Sequence, residues 1–335
     1  MCSVNNASVT NNMKNAIIAF LVPLPSIFFY LSFLNHYDSS SGVDPKFPTF
    51  WSTLWTWCYK HPMLLVNVLF FFNVNVLFWV IGLIQSSHWM IDPYWTVIPV
   101  MLVHYYSTHP FSDEYNWWRS KIVILMTWVW SIRLMHNYLR REKWELGVRQ
   151  DWRFTILSKQ YGTHWWWASF FAIYLPQQVL LIGLSLPFYV IHSMNDPLSI
   201  WDIVAIIICV CGISIAFIAD NQLHNFVNIN NKLKGLNEPM IPILESGLWY
   251  YSRHPNYFGE QLWWWGLVIF AWNLGYGWTL IGALVNTMCL GYVTKLVEEH
   301  MLKQDHRVEA FTLYQNTTSI WVPWFKSFPL KNKNA

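Results

Sequence analysis

A series of long apolar runs, divided by short polar stretches, constrains this chain more than any other feature. A helix needs about 20 apolar residues to cross the hydrocarbon core of a bilayer. Within that core every backbone N–H and C=O must be bonded inside the protein, so runs of this length span as helices. The candidates are residues 16–34, 63–84, 122–138, 165–191 and 203–218, with a shorter run at 94–106 between two of them. The stretch 261–297 is too long for one helix. It breaks at Asn273-Leu274-Gly275-Tyr276-Gly277, a turn signal, which predicts a helical hairpin. The expected fold is all-α, a polytopic transmembrane helical bundle of seven to eight spans.

Composition agrees. Hydrophobic residues make up 54% of the chain and charged residues 12%, where a soluble domain carries about 25% charged residues. A net charge of +3 is too small to argue for nucleic acid, and the apolar runs make the membrane the expected partner. The 24 Trp and 17 Tyr suit the membrane–water interface and could also stack on planar ligands. Five cysteines, Cys2, Cys58, Cys209, Cys211 and Cys289, form neither a disulfide framework nor a spaced metal site, and no metal is expected. A polar start, followed by an apolar run holding Pro23 and Pro25, does not read as a cleavable signal.

Loop charge sets the sidedness, because Lys and Arg collect on the cytoplasmic side. With the loop after residue 138 placed there, alternation puts sixteen Lys and Arg on that side and four on the other, with Arg133 inside a span. Both termini come out cytosolic, and the sequons at Asn6 and Asn316 lie on the side where glycosylation does not occur. No internal repeat is visible, which weighs against a transporter built from inverted halves.

Ionisable residues in or beside spans are costly and point to function. Arg133, Asn137, Arg140 and Arg141 share one helical face. A snorkelling basic end accounts for Arg141 but not for Arg133, about two turns further in. Asp151-Trp152-Arg153 follows in the next loop. The 203–218 run ends in Asp220-Asn221-Gln222. The densest block is residues 247–260, Gly-Leu-Trp-Tyr-Tyr-Ser-Arg-His-Pro-Asn-Tyr-Phe-Gly-Glu. Pro255 suits the first turn of a helix. A helix starting there puts Asn256, Tyr257 and Glu260 on one face, with Arg253 and His254 at its mouth. The free N–H groups of a helix start suit a phosphate, and Arg adds a two-pronged phosphate contact. An interfacial aromatic belt explains the Trp and Tyr but not an Arg-His-Pro-Asn run leading into a Glu. Gathered at one membrane face, these clusters read as a pocket for a charged, planar, cytosolic molecule such as a nucleotide. There is no G-x-G-x-x-G and no P-loop, so no soluble nucleotide-binding fold is implied.

The 247–260 block resembles the C-terminal signature of the steroid 5-alpha-reductase family, in its less characterised Ser-Arg-His-Pro-Asn-Tyr branch. Asp92-Pro93-Tyr94-Trp95, Arg133-Leu134 with Asn137-Tyr138 and Arg140-Arg141, Asp151-Trp152-Arg153, Asp220 with Gln222, and Tyr314 with Trp321-Val322-Pro323-Trp324 fall in the family's order. The resemblance implies N-terminal spans over residues 1–92 and a reductase-like membrane domain with a cytosolic cofactor pocket and tail over 93–335. It implies an enzyme of the endoplasmic reticulum that uses NADPH to reduce a carbon–carbon double bond conjugated to a carbonyl in a lipid. Arg133, Asn137, Tyr138, Arg140, Arg153, Asp220, Gln222, Ser252, Arg253, His254, Asn256, Tyr257 and Glu260 would bind the cofactor. His104-Tyr105 is similar to the family's His-Tyr pair, whose Tyr polarises the substrate carbonyl. Asp92 stands nearest to the acidic residue that assists it, and Tyr105 and Asp92 are the expected catalytic pair. Such a reaction needs a nicotinamide held against the β-carbon and a donor at the developing enolate oxygen. Sterol, polyprenol and enoyl-lipid substrates all remain open. The tail Lys331-Asn332-Lys333-Asn334-Ala335 looks like a dilysine retrieval signal, a receptor-read address.

Two other readings stay open. Membrane methyltransferases acting on isoprenylcysteine or phospholipid, with S-adenosylmethionine, carry a similar Arg-His-Pro block and a Glu-Glu pair like Glu298-Glu299. A non-enzymatic lipid-binding protein could also have kept the fold.

Overall fold

The computed structural model describes residues 2–40, 49–112 and 114–327. The 331–335 tail lies outside these residues. Among the described residues one isolated parallel bridge, Ser252 with Ser319, is the only β pairing; the remainder is helix and connecting loop. Helices α1 (Cys2–Leu21) and α2 (Leu24–Ser40) form one bent rod. Pro23, at the bend, lacks an N–H, yet the ladder continues across it, with Ile27 N–H donating to Pro23 O at 3.1 Å. Helix α3 (Phe50–Lys60) starts in a capping box between Thr49 and Ser52. Helices α4 (Pro62–Phe70) and α5 (Phe78–Gln85) are joined through a π-helical segment, Phe71–Leu77.

Helices α6 (Ile91–Thr108) and α7 (Trp117–Arg141) run antiparallel. Ser131 Oγ donates to Thr96 O at 2.7 Å, and Trp128 Nε1 donates to His104 Nε2 at 2.9 Å. After α8 (Trp152–Tyr161) and α9 (Trp165–Ser169) comes a second π segment, Phe170–Tyr174, then α10 (Leu175–Leu184) and α11 (Leu186–Ile191). The two π segments pack together. Beside them Asn75 Nδ2 donates to Gln178 Oε1 at 2.6 Å, and Gln178 Nε2 donates to Asn67 at 3.1 Å. Polar side chains in apolar helices are tolerated when they meet one another across the packing interface in this way.

Among the described residues, five rods are long and apolar enough to cross a membrane: Asn11–Tyr37, Pro62–Gln85, Trp152–Ile191, Ile200–Gly235 and Gly277–Leu302. The other expected spans are helices too, namely α6, α7 and the later α13, but their His, Arg, Asn, Trp and Tyr residues keep them outside that group. The chain is an all-α membrane bundle. The residues buried and exposed along the Ile200–Gly235 rod show why. Its buried apolar face is mostly small residues, Ala205, Cys209, Gly212, Ala216 and Ala219 beside Ile213, while Ile203, Ile207, Val210 and Phe217 are exposed. Large apolar groups outside and small ones inside suit a lipid solvent.

Chain contacts divide the molecule into two compact units, residues 1–198 with 274–282, and 199–273 with 283–335. The second unit holds α12 (Ile200–Gly235), α13 (Pro255–Asn273), α14 (Leu280–Leu302) from Ala283 onward, and α15 (Val308–Thr317). As expected, Pro255 opens α13, and the hairpin turns at Gly275, whose φ is +86°. Helices α12 and α13 pack backbone to backbone. A Cβ on Gly259 would stand 2.6 Å from both Gly212 O and Ala216 N.

One boundary differs from the sequence reading. Helix α12 does not end at Asp220-Asn221-Gln222 but runs on to Gly235. Hydropathy marks where the bilayer ends, not where the helix ends. At 1.5 Å per residue its 36 residues reach about 54 Å, well past a hydrocarbon core of about 30 Å. The extension is held by Asn230, which exchanges two hydrogen bonds with the Ile241 backbone, at 2.8 and 3.0 Å.

Candidate functional site

The block at residues 247–260 forms the centre of the second unit. Residues 247–250 make one 3-10 turn before α13 begins at Pro255. Gly247 adopts φ +63°, and Gln222 lies against it so closely that a Cβ there would stand 2.1 Å from Gln222 Nε2. Leu248 N–H donates to Gln222 Oε1 at 3.0 Å, and Trp249 Nε1 donates to Ala219 O at 3.1 Å. Gln222, expected at the cofactor, ties this loop to α12.

Ser252, Arg253 and His254 lie against the segment after α15. Arg253 N–H donates to Ser319 O at 2.9 Å, His254 N–H to Ile320 O at 3.0 Å, and Ser252 Oγ to Ile320 O at 3.1 Å. The Arg253 guanidinium donates through Nε to Glu298 Oε1 at 2.8 Å and through Nη2 to Oε2 at 3.3 Å. Its Nη1 donates to Gln315 O at 2.9 Å and Thr318 O at 2.6 Å. His254 Nε2 donates to the same Glu298 Oε1 at 3.0 Å, and Gln315 Nε2 donates to Oε2 at 2.8 Å. The His254 ring stacks on Tyr257, 5.1 Å between centroids and 13° between planes. Tyr314 donates its hydroxyl to Trp249 O and Ser252 O. Burial, with the Glu245 carboxylate nearby, holds that hydroxyl protonated well above its usual range.

Further along α13, Asn256 Nδ2 donates to the buried Asp220 at 3.3 Å. Asn256 Oδ1 is buried with no hydrogen-bond partner. Glu260 follows one turn later. Ser252, Arg253, His254, Asn256, Tyr257 and Asp220 are therefore gathered as the sequence anticipates. Glu298, the hub, was flagged only as half of a Glu-Glu pair.

The remaining expected cofactor residues lie in the first unit, at one end of α6 and α7. Arg133 and Tyr138 are buried. Asn137 Oδ1 accepts from Arg140 Nε at 3.1 Å and Nη2 at 3.0 Å. Arg141 lies over the Tyr138 ring, 5.6 Å from its centroid, and Glu142 accepts from Arg149 at 2.6 Å. Asp151 caps α8 through Arg153 N–H at 2.8 Å and grips the Arg153 guanidinium at 2.9 and 2.7 Å. Burial pushes the Asp151 carboxyl up, but these bonds and the Arg153 charge outweigh it and hold the group below the usual carboxylate range. Asp92 belongs here as well, within electrostatic reach of Asp151, Arg141, Arg153 and Glu142.

Tyr105 is elsewhere. It stands thirteen residues after Asp92 on α6, about 20 Å along the axis at 1.5 Å per residue. The expected pairing of Tyr105 with Asp92 at one carbonyl is not made, because the two sit near opposite ends of one continuous helix. Tyr105 lines a largely apolar cavity of about 240 Å³ bounded by α2, α4, the first π segment and α6. Its hydroxyl donates to Pro62 O at 2.8 Å. Tyr30 adds a second hydroxyl on the wall, donating to Tyr105 O at 3.0 Å. No residue of α2 or α4 is among the site residues expected from the sequence. Among the described residues no group of His, Cys, Asp or Glu could hold a metal ion.

A family model described as a protein of unknown function, DUF1295, matches residues 78–318. An uncharacterized protein of Schizosaccharomyces pombe is 22% identical over 222 residues, 62% of this chain and 64% of the relative. The chain thus spans less than two thirds of the length of that relative. No solved structure matches. The family match covers Asp220, the 247–260 block and Glu298, while the cavity walls from α2 and α4 lie outside it.

Proposed function

We propose that this chain, which belongs to the DUF1295 family, is a membrane-embedded NADPH-dependent reductase of a carbon–carbon double bond conjugated to a carbonyl in a lipid, seated in the endoplasmic reticulum with both termini cytosolic. One observation carries the reading. In the second unit, the first turns of α13 present a buried amide oxygen, Asn256 Oδ1, with no donor of its own, beside Asp220, His254 and Tyr257. Buried acceptors are nearly always satisfied in a folded protein, and a dinucleotide carries the hydroxyl and amide donors that would satisfy this one. The steroid 5-alpha-reductase resemblance of the same residues supports NADPH, which when bound supplies hydride.

The cavity at Tyr105 suits an apolar substrate from the bilayer. There Tyr105 would turn its hydroxyl from Pro62 O to the lipid carbonyl and supply the donor that the enolate needs. Membranes containing the chain, given a panel of enone lipids, should consume NADPH only with a true substrate. Tyr105→Phe should lower kcat by about a hundredfold or more, the usual cost of an oxyanion donor, with NADPH affinity kept. Full activity in that variant would remove Tyr105 as the donor.

Glu298 favours a second reading. A carboxylate between Arg253 and His254 could instead receive the ammonium of S-adenosylmethionine in a membrane methyltransferase. Purified protein that binds S-adenosylmethionine and not NADPH would establish that reading over the first.

A further inference from the structure

An Arg side chain has five N–H donors. Four separate donor contacts of Arg253 go to Glu298, Gln315 O and Thr318 O. The guanidinium is thus held inside the fold. A phosphate could take its two-pronged face only by displacing a carboxylate and two backbone carbonyls that are already in hydrogen-bonding distance.

The other groups of the block point the opposite way electrically. An ionised carboxylate only accepts, so His254 must present an N–H at Nε2 to Glu298. In the neutral ring this leaves Nδ1 with a lone pair. By the same reasoning Asn256 turns its NH2 to Asp220, which leaves Oδ1 as an acceptor, buried and without a donor. Glu298 thus does two things at once: it removes the cation from the surface of the site and fixes the His254 tautomer.

We propose that Glu298 is a positioning residue that makes the start of α13 an acceptor site for the carboxamide NH2 of the nicotinamide, read by Asn256 Oδ1 and His254 Nδ1, and not a phosphate site. The proposal rests on the reductase reading and sharpens it, since it assigns the 252–257 string to the reacting end of the dinucleotide. It also replaces the phosphate contact that the sequence suggested for Arg253.

The test uses the full chain in lipid nanodiscs. Dissociation constants are measured for NADPH, for NADH, and for reduced 3-acetylpyridine adenine dinucleotide phosphate, in which a methyl ketone replaces the carboxamide. The wild type should bind NADPH roughly tenfold more tightly than the acetylpyridine analogue, the effect of one hydrogen bond to a buried acceptor. Asn256→Ala and Glu298→Gln should bring that ratio close to one. Arg253→Lys, in the fraction that remains folded by thermal unfolding, should keep the NADPH-to-NADH ratio of the wild type. A loss of retained fold alone would not move the analogue ratio, which separates positioning from a merely structural role. Equal binding of NADPH and the analogue by the wild type overturns the inference and leaves the reductase reading standing. So does an Arg253→Lys protein that no longer distinguishes NADPH from NADH. A wild type that binds none of the three overturns both.

Discussion

Two arginine–carboxylate forks, one in each unit, pair the same groups but are held differently by the fold. Arg153 and Asp151 are two residues apart, and their fork is local: Asp151 caps the helix on which Arg153 sits. Arg253 and Glu298 are 45 residues apart, and their fork joins the start of α13 to α14 and to the end of α15. The side chains of the first pair are 36% and 17% exposed, those of the second 7% and 13%. Water can replace either member of the local fork. It reaches the Arg253 guanidinium far less, at 7% exposed against 36% for Arg153, so that charge depends more on its carboxylate. Chemistry alone therefore does not separate the two arginines; burial and the distance spanned do.

The sharpest way to break the comparison is Glu298→Ala. It leaves a buried guanidinium and an imidazole without their carboxylate, and removing one member of a buried pair costs about 3–5 kcal/mol. Thermal unfolding of the purified protein should show most of its stability gone, and a loss under 1 kcal/mol would show that Arg253 finds water. Gly259→Ala comes next. Its new Cβ would meet backbone atoms of α12 at 2.6 Å, so the helices must part, at a cost of about 1–3 kcal/mol for overpacking. Because α12 carries Asp220 and α13 carries Asn256, the variant should also weaken cofactor binding, whereas Gly235→Ala, with nothing near its Cβ, should not.

Much of this was legible in the residues. Pro255 marked a helix start because its ring suits a first turn best, and Asn273 to Gly277 marked a hairpin because Gly275 takes a positive φ. The polar string stood out because its neighbours are apolar. What stayed hidden depends on contacts across long sequence separations. Glu298 and Glu299 are adjacent and equivalent on paper. Only helical spacing separates them: Glu298 falls on the face of α14 that carries the buried Thr294, and Glu299 falls on the outer side, 3.9 Å from Lys295. That four-residue spacing was the available signal. The separation of Tyr105 from Asp92 was also present in their numbering once α6 is a continuous helix, but resemblance to a catalytic pair concealed it. The walls of the cavity from α2 and α4 had no marker, since Leu, Val and Phe in a span read as lipid-facing until a packed neighbour is known.

A smaller effect tests how the buried fork is seated. Tyr314 donates to Trp249 O and Ser252 O, pinning the loop from which Arg253 extends. Tyr314→Phe keeps the ring and removes the donor, and it should cost about 1 kcal/mol, the net value of a typical hydrogen bond with some further loss for the carbonyls left behind. If the variant unfolds as readily as Glu298→Ala, the loop and not the ion pair is what holds the block together.

The smallest effect belongs to the local fork, and pH isolates it. Asp151→Asn keeps a side chain that caps helices well while deleting the charge that Arg153 grips. The Asp151 carboxyl is held below its ordinary range in the fold, so its contribution is fully present above the unfolded value, about 3.9, and is lost as pH falls through the lower folded value. With Arg153 36% exposed, solvent screening limits that contribution to no more than about 1 kcal/mol. At pH 7 the variant should therefore unfold slightly before the wild type, and the gap should close as the pH is lowered below the carboxylate range. A gap that persists in acid would mean that Asp151 acts through its cap and not its charge. A gap as large as that of Glu298→Ala would mean that the two forks are equally buried in the working protein, and the contrast between them would fail.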